Sequence, residues 1–305
     1  MMPQTQTSTG GSTGEAMTSE DGCTRVTVVS RAEFEQAFDE SGYLTLERGA
    51  NHADAIARGC PSLREARSRY AGAFLDLDRV RRLHVESRLE PLCAFVDRAC
   101  RASGHSDVAE LGWRFAVLGK REVDNGFPHT LGGLICLPGF LVARIARIDE
   151  RPPSFRPDDA ASVDRESIVV TLLHEKLHVF QRLRPGQADV LGREMGYRRA
   201  GKRAELPRAV ARVTRDNPDI DDYVYSYEPA GGRIPVCMYR SEQPEGLHDC
   251  ATVFIGDEDA EGAMAVAKYE HPYEHMAYEM SRSIIRSERS RARARARASV
   301  PSVRT

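Results

Sequence analysis

The chain has 305 residues, a formal net charge of −2 at pH 7 and 41% hydrophobic residues, enough for one large domain or two small ones with a sizeable core. The near balance of charge gives no sign of an obligate nucleic-acid or membrane partner. Its seven cysteines form no CxxC pair, which excludes a zinc ribbon; they read as reduced, buried small hydrophobes of an intracellular protein.

Met1 to Gly22 is rich in Thr, Ser and Gly and nearly free of bulky apolar residues, so a disordered tail is expected. No basic start followed by an apolar core marks a secretory signal. The longest apolar stretch, Leu131 to Ala143, is too short for a membrane span and carries glycines and Pro138. A soluble protein of the cytoplasm or nucleus is the expectation. Residues 23–110 read as an N-terminal helical region. Ser30, with Glu33 three residues on, forms a capping-box pattern for a helix carrying Phe34 and Phe38 on one face. Leu63 to Arg101 reads as two charged amphipathic helices broken near Pro91. His52, His84 and His105 belong to this polar region and are read as surface or satisfied groups.

From 111 to 286 the pattern changes. Trp113 to Leu118 alternates like a strand, and Leu134 to Leu137 is a second, after the turn-rich Asp124-Asn125-Gly126. His129 stands before the second strand. Residues 158 to 164 are mostly small and polar, and Asp164 is the candidate cap of the next helix. That helix spans the apolar run Ile168 to Leu183, too long for a strand, and contains His174-Glu175-Lys176-Leu177-His178. Residues four apart share a helix face, so both imidazoles reach one ion with Glu175 beside them. This suits one Zn²⁺ held by two neutral histidines, with a carboxylate placed to take a proton from water. Lys176 points away from that face and is expected to snorkel to solvent or pair with an acid. Gln187 to Arg198 reads as another helix, ended near Gly201. Asn217-Pro218-Asp219 marks a turn. Tyr223 to Tyr227, Ile234 to Tyr239 and Ala251 to Ile255 read as a small antiparallel sheet.

A catalytic zinc needs a third protein ligand. The segment from His271 to Met280 offers His271, Glu274, His275 and Glu279 on a helix opened by Pro272. Tyr278, one turn beyond Glu274, shares its face and is a candidate hydrogen-bond partner of a ligating histidine. His248 with Asp249, and Tyr223, Tyr225 and Tyr227, are candidate donors to an oxyanion. From Ser287 the chain alternates Arg and Ala. Residues 287–305 are expected to be a disordered cationic arm, capable of nonspecific phosphate contact with nucleic acid.

Over Thr171 to Arg182 the chain resembles the zincin metallopeptidases. Lys176 departs from the stricter motif, which prefers an uncharged residue there. After His178 no histidine follows until His248, so the metzincin pattern is absent and the gluzincin branch fits better. That resemblance implies Glu274 as third ligand, with the small Ala277 three residues on allowing close helix approach. It implies an α+β zincin-like fold over 111–286, with N-terminal helices, a small mixed sheet and an active-site helix pair. It also implies zinc peptidase activity on a peptide or protein substrate, with Glu175 as general base. The strand around Leu134 to Leu137 becomes the candidate edge strand that pairs with substrate backbone. The alternatives are a non-peptidase zinc-binding protein on the same scaffold and a nucleic-acid-associated protein acting through the arginine tail.

Overall fold

A strand whose residues are apolar at every position is buried on both faces, and the central sheet has one in Leu134–Pro138, beside Trp113–Leu118, in which Arg114 alone is exposed. A computed structural model describes residues 24–119, 126–148, 160–256 and 265–298. The expected N-terminal tail, the Asp124-Asn125 part of the predicted turn, Asp158 and residues 299–305 lie outside the described residues. The elements in chain order are β1 (Val26–Val28), α1 (Arg31–Ser41), α2 (His52–Ala57), α3 (Leu63–Ala71), α4 (Arg79–Ala102), α5 (Ser106–Ala109), β2 (Trp113–Leu118), β3 (His129–Leu131), β4 (Leu134–Pro138) and α6 (Gly139–Ile145). They continue as α7 (Ala160–Leu183), α8 (Pro185–Glu194), β5 (Tyr197–Lys202), α9 (Arg208–Ala211), β6 (Tyr223–Tyr227), β7 (Ile234–Tyr239), β8 (Cys250–Ile255) and α10 (Pro272–Ala298). The class is α+β.

The four-stranded sheet is mixed, in the order β1-β2-β4-β3, with β1, β2 and β4 parallel and β3 antiparallel to β4. Successive residues alternate faces. Phe115, Val117, Ile135 and Leu137 point into a core with α4 and α7. Ala116, Leu118, Leu134 and Cys136 meet α1 and α3 on the other side. The β3–β4 turn needs Gly132, whose φ of +60° suits a residue without a Cβ. Strand β4 is therefore interior and β3 is the edge, correcting the expectation that Leu134 to Leu137 forms the edge. The reason is topological: a three-residue strand, too short to stand out in the sequence, folds back over the outer side of β4.

The capping box of α1 forms as expected, with Ser30 and Glu33 each accepting from the other's backbone amide. Other local expectations shift. Helix α4 runs unbroken through Pro91, which lies on the exposed side while Leu89 and Leu92 are buried; the break falls earlier, at residues 72–78. Packing of the apolar face holds the helix against the proline cost. Helix α7 begins at Ala160, so Asp164 is inside it and pairs with Arg144 (3.0 Å) instead of capping. Residues 197–202 pair with β6 as a strand, so α8 ends before the predicted helix end. The segments 223–227, 234–239 and 250–255 are strands, arranged as two antiparallel pairs, β5–β6 and β7–β8.

One core contains residues of α4, β2, α7 and α10, so the expected boundary at 110/111 runs through shared packing. Helix α10 continues to Ala298, and the segment from Ser287 is helical that far instead of a mobile arm. Three of its arginines have partners within the fold: Arg289 pairs with Glu166, Arg295 with Glu288 at 2.6 Å, and Arg291 donates to the Ala102 carbonyl and Ser103. Lys176 is 1% exposed. Its ammonium pairs with Asp97 (2.5 Å), donates to the Leu111 carbonyl (2.8 Å) and lies 4.1 Å from the Trp113 ring centre. It takes the acid-paired alternative and pins α7 to α4. The six cysteines described are free thiols. Among the described residues no helix is long and apolar enough to cross a membrane.

Candidate metal centre

Helices α7 and α10 pack against each other, with Ala277 fully buried where they meet. This brings three groups together. His174 Nε2 and His178 Nε2 lie 3.0 Å apart. One oxygen of Glu274, Oε2, is 3.7 Å from the first and 3.9 Å from the second. Among the described residues these three form the one group of its kind positioned to hold a metal ion. A point in the plane of these atoms lies about 2.1 Å from all three, the bond length of a zinc-class metal to nitrogen and oxygen.

The protonation pattern suits a cation. His178 Nδ1 is 2.8 Å from Gln181 Oε1, while the Gln181 amide nitrogen donates to the Tyr273 carbonyl at 2.9 Å. The amide orientation follows from that second bond, so Oε1 must accept from Nδ1–H, leaving the His178 Nε2 lone pair facing the centre. Burial, with His178 as neighbour, carries His174 down to about 3, and burial lowers His178 as well. Both imidazoles are neutral at ordinary pH. Burial, then Asp219 and Glu270, raise Glu274 to about 8, against an opposing hydrogen bond from Asn217. A nearby cation would reverse that shift.

Glu175 is 3% exposed, and its Oε2 has no hydrogen-bond partner among the described residues. Burial and Asp219 push its carboxyl well above the usual range, His129 works against them, and Glu274 adds to them. A buried carboxyl oxygen without a partner, beside three converging ligand atoms, fits a site that could hold a cation and a water. Tyr278 packs its ring against His174, with centroids 4.7 Å apart at a steep angle. The expected hydrogen bond from its hydroxyl to a histidine does not form, because the ring meets the imidazole edge-on.

Comparison with protein-family models, curated proteins and solved structures finds no match to this chain.

The remaining candidates are engaged elsewhere. His271 Nε2 bonds Asp221 (3.0 Å) and its Nδ1 accepts the Tyr273 amide, so it is not a ligand. His275 stacks on Tyr269 and approaches the Tyr197 hydroxyl, and Glu279 accepts from Tyr269. Tyr225 donates to Asp221, Tyr223 lies under Arg199, Tyr227 stacks with Phe254, and His248 is exposed. None of these four is brought to the three ligand atoms. His129 is buried on β3, with Nε2 2.5 Å from the Tyr70 hydroxyl and Nδ1 on the Phe127 carbonyl. It interacts electrostatically with Glu175.

Three site residues escape sequence reasoning. Gln181 carried a usable signal, since it follows His178 by three residues on one helix face. Asn217 and Asp219 carried none beyond a turn pattern. Asp219 interacts electrostatically with His174, Glu175, His178 and Glu274 together. It also accepts from both the amide (2.6 Å) and the hydroxyl (2.9 Å) of Thr130 on the edge strand.

Proposed function

We propose that the chain is a zinc-dependent metallopeptidase of the gluzincin type. The observation that carries this reading is the convergence of His174, His178 and Glu274 beside buried Glu175, whose Oε2 is without a partner among the described residues. His174 and His178 through Nε2, and Glu274 through Oε2, would hold one zinc ion. When bound, Zn²⁺ supplies Lewis-acid polarisation of the scissile carbonyl and lowers the pKa of water toward about 7.

The chain's own residues supply the rest. Glu175 takes the proton of the attacking water and returns it to the leaving amine. Its environment, which disfavours the anion, suits a group that must hold that proton between the two transfers. The Tyr278 hydroxyl has no partner among the described residues and is the donor available to the developing negative oxygen. The apolar surround of α7, with Leu172, Leu173, Leu177 and Phe180 buried, keeps bulk water from the far side of the site. An extended substrate would lie along β3, the antiparallel edge that contacts α7. The Thr130 amide there is taken by Asp219 and all three residues of β3 are buried, so substrate pairing would have to displace that contact.

The test is Glu175→Gln in the full chain, assayed for zinc content and for cleavage of a fluorogenic peptide library. Zinc retained at parental stoichiometry with hydrolysis reduced about 10²–10⁴-fold supports the reading; cleavage at the parental rate overturns it. A parent that holds zinc and cleaves no peptide would make this a non-peptidase zinc protein.

A further inference from the structure

The two oxygens of Glu274 are used differently. Oε2 faces the histidines, and Oε1 accepts from the Asn217 side-chain amide at 3.1 Å. The same nitrogen donates to Glu270 Oε1 at 2.7 Å, and Asn217 Oδ1 accepts the Asp219 amide at 3.0 Å. One NH₂ group serving two carboxylates admits one orientation of the amide, with nitrogen toward α10 and oxygen toward its own turn. Asn217 is 6% exposed, so water does not readily substitute for it.

The turn that carries Asn217 is itself held on several sides. Arg48, 7% exposed, pairs with Asp216 at 2.9 Å and donates to the Asn217 and Ile220 carbonyls. Arg203 pairs with the same Asp216 and donates to the Asp221 carbonyl. Arg182, from α7 itself, donates to the Pro218 carbonyl at 2.7 Å, and Asp219 grips Thr130 on β3. The Asn217-Pro218-Asp219 turn thus contacts the helix of His174 and His178, the helix of Glu274 and the edge strand at once.

We infer that Asn217 is a positioning residue for the metal site: it fixes the carboxylate of Glu274 so that Oε2 alone is presented toward His174 and His178. This inference rests on the proposed metal centre. A glutamate otherwise rotates about three side-chain bonds, and an ordered ligand binds tighter than one that must be ordered on binding. Asn217 also keeps Glu270 and Glu274 bridged by hydrogen instead of facing each other as bare anions. Partners of this kind, when removed, cost about 10–100-fold in metal affinity.

The experiment is competition for Zn²⁺ between a chromophoric chelator and the full chain, as parent, Asn217→Ala, Asn217→Ser, Glu274→Ala and Asn217→Ala/Glu274→Ala. Circular dichroism confirms the fold of each. The expected result is an affinity loss of about 10–100-fold for Asn217→Ala and a smaller loss for Asn217→Ser, which keeps one donor. The double variant should bind no more weakly than Glu274→Ala. Parental affinity in Asn217→Ala overturns the inference, as does an equal loss in the presence and absence of Glu274, which would mark a general structural role. If Asn217→Ala fails to fold, Asn217→Ser carries the test, and parental affinity there overturns the inference. A parent whose zinc affinity does not respond to Glu274→Ala removes the metal centre itself, a different failure from that of Asn217.

Discussion

Replacing Lys176 by methionine should destabilise the protein by several kcal/mol, although the residue lies between the two histidines of the candidate metal centre and is not one of its candidate ligands. Lys176 is 1% and Asp97 2% exposed. The variant leaves buried Asp97 without its counter-ion, with the Trp113 indole (3.2 Å) and Thr24 hydroxyl (2.8 Å) as its donors among the described residues, and leaves the Leu111 carbonyl without its 2.8 Å partner. Breaking a buried pair from one side costs about 3–5 kcal/mol. At roughly 2–4 °C per kcal/mol for a domain of this size, melting should fall by about 10 °C. Asp97→Asn alone should also destabilise, because it leaves the ammonium without its counter-ion. The double variant Lys176→Met/Asp97→Asn should recover most of the loss, since neither charge is then buried alone. Urea denaturation of the four proteins forms the cycle. Additive single and double effects, or a Lys176→Met variant within 1 kcal/mol of the parent, would refute the assignment of this pair as the tie between α7 and α4.

Three further outcomes are expected. Gln181→Leu keeps the side-chain bulk but releases His178 Nδ1, and zinc affinity measured by chelator competition should drop about 10–100-fold; parental affinity would show that the histidine is oriented by something else. Tyr278→Phe should lower kcat about 10²–10³-fold with zinc content unchanged if its hydroxyl meets the oxyanion; equal kcat leaves the ring contact with His174 as its sole role. The third concerns pH in the zinc-free protein. Glu274 is raised from 4.5 to about 8, so its contribution to stability is complete below pH 4.5 and is lost as pH rises through 8. His174 is lowered from 6.5 to about 3, so its contribution is complete above pH 6.5 and is lost as pH falls toward 3. Melting with chelator present should therefore weaken from pH 6.5 to 8, and added Zn²⁺ should raise the melting temperature more at pH 8 than at pH 6. A zinc gain independent of pH would contradict that linkage.

What could be read from the residues alone was whatever depends on short-range periodicity. The i, i+4 spacing of His174 and His178, the apolar run that makes α7 a buried helix, the Ser30 capping box and the alternation of β2 and β6 each concern a few adjacent residues whose geometry the backbone dictates. The shared face of His174 and His178 follows from the same local geometry, and so does the ambiguity among His271, Glu274, His275 and Glu279, since a helical repeat offers several faces without saying which one meets a partner. Tertiary packing decided the rest. The approach of α10 to α7 turns Glu274 inward and sends His271 to Asp221. The fold-back of β3 moves the sheet edge off β4. Buried charge must find a counter-charge, which takes Lys176 to Asp97 across 79 residues of sequence and draws the Asn217 turn between α7 and α10. No local pattern encodes those partners, because the energy that selects them, the desolvation of a charge or an amide, arises only once the elements have closed around it.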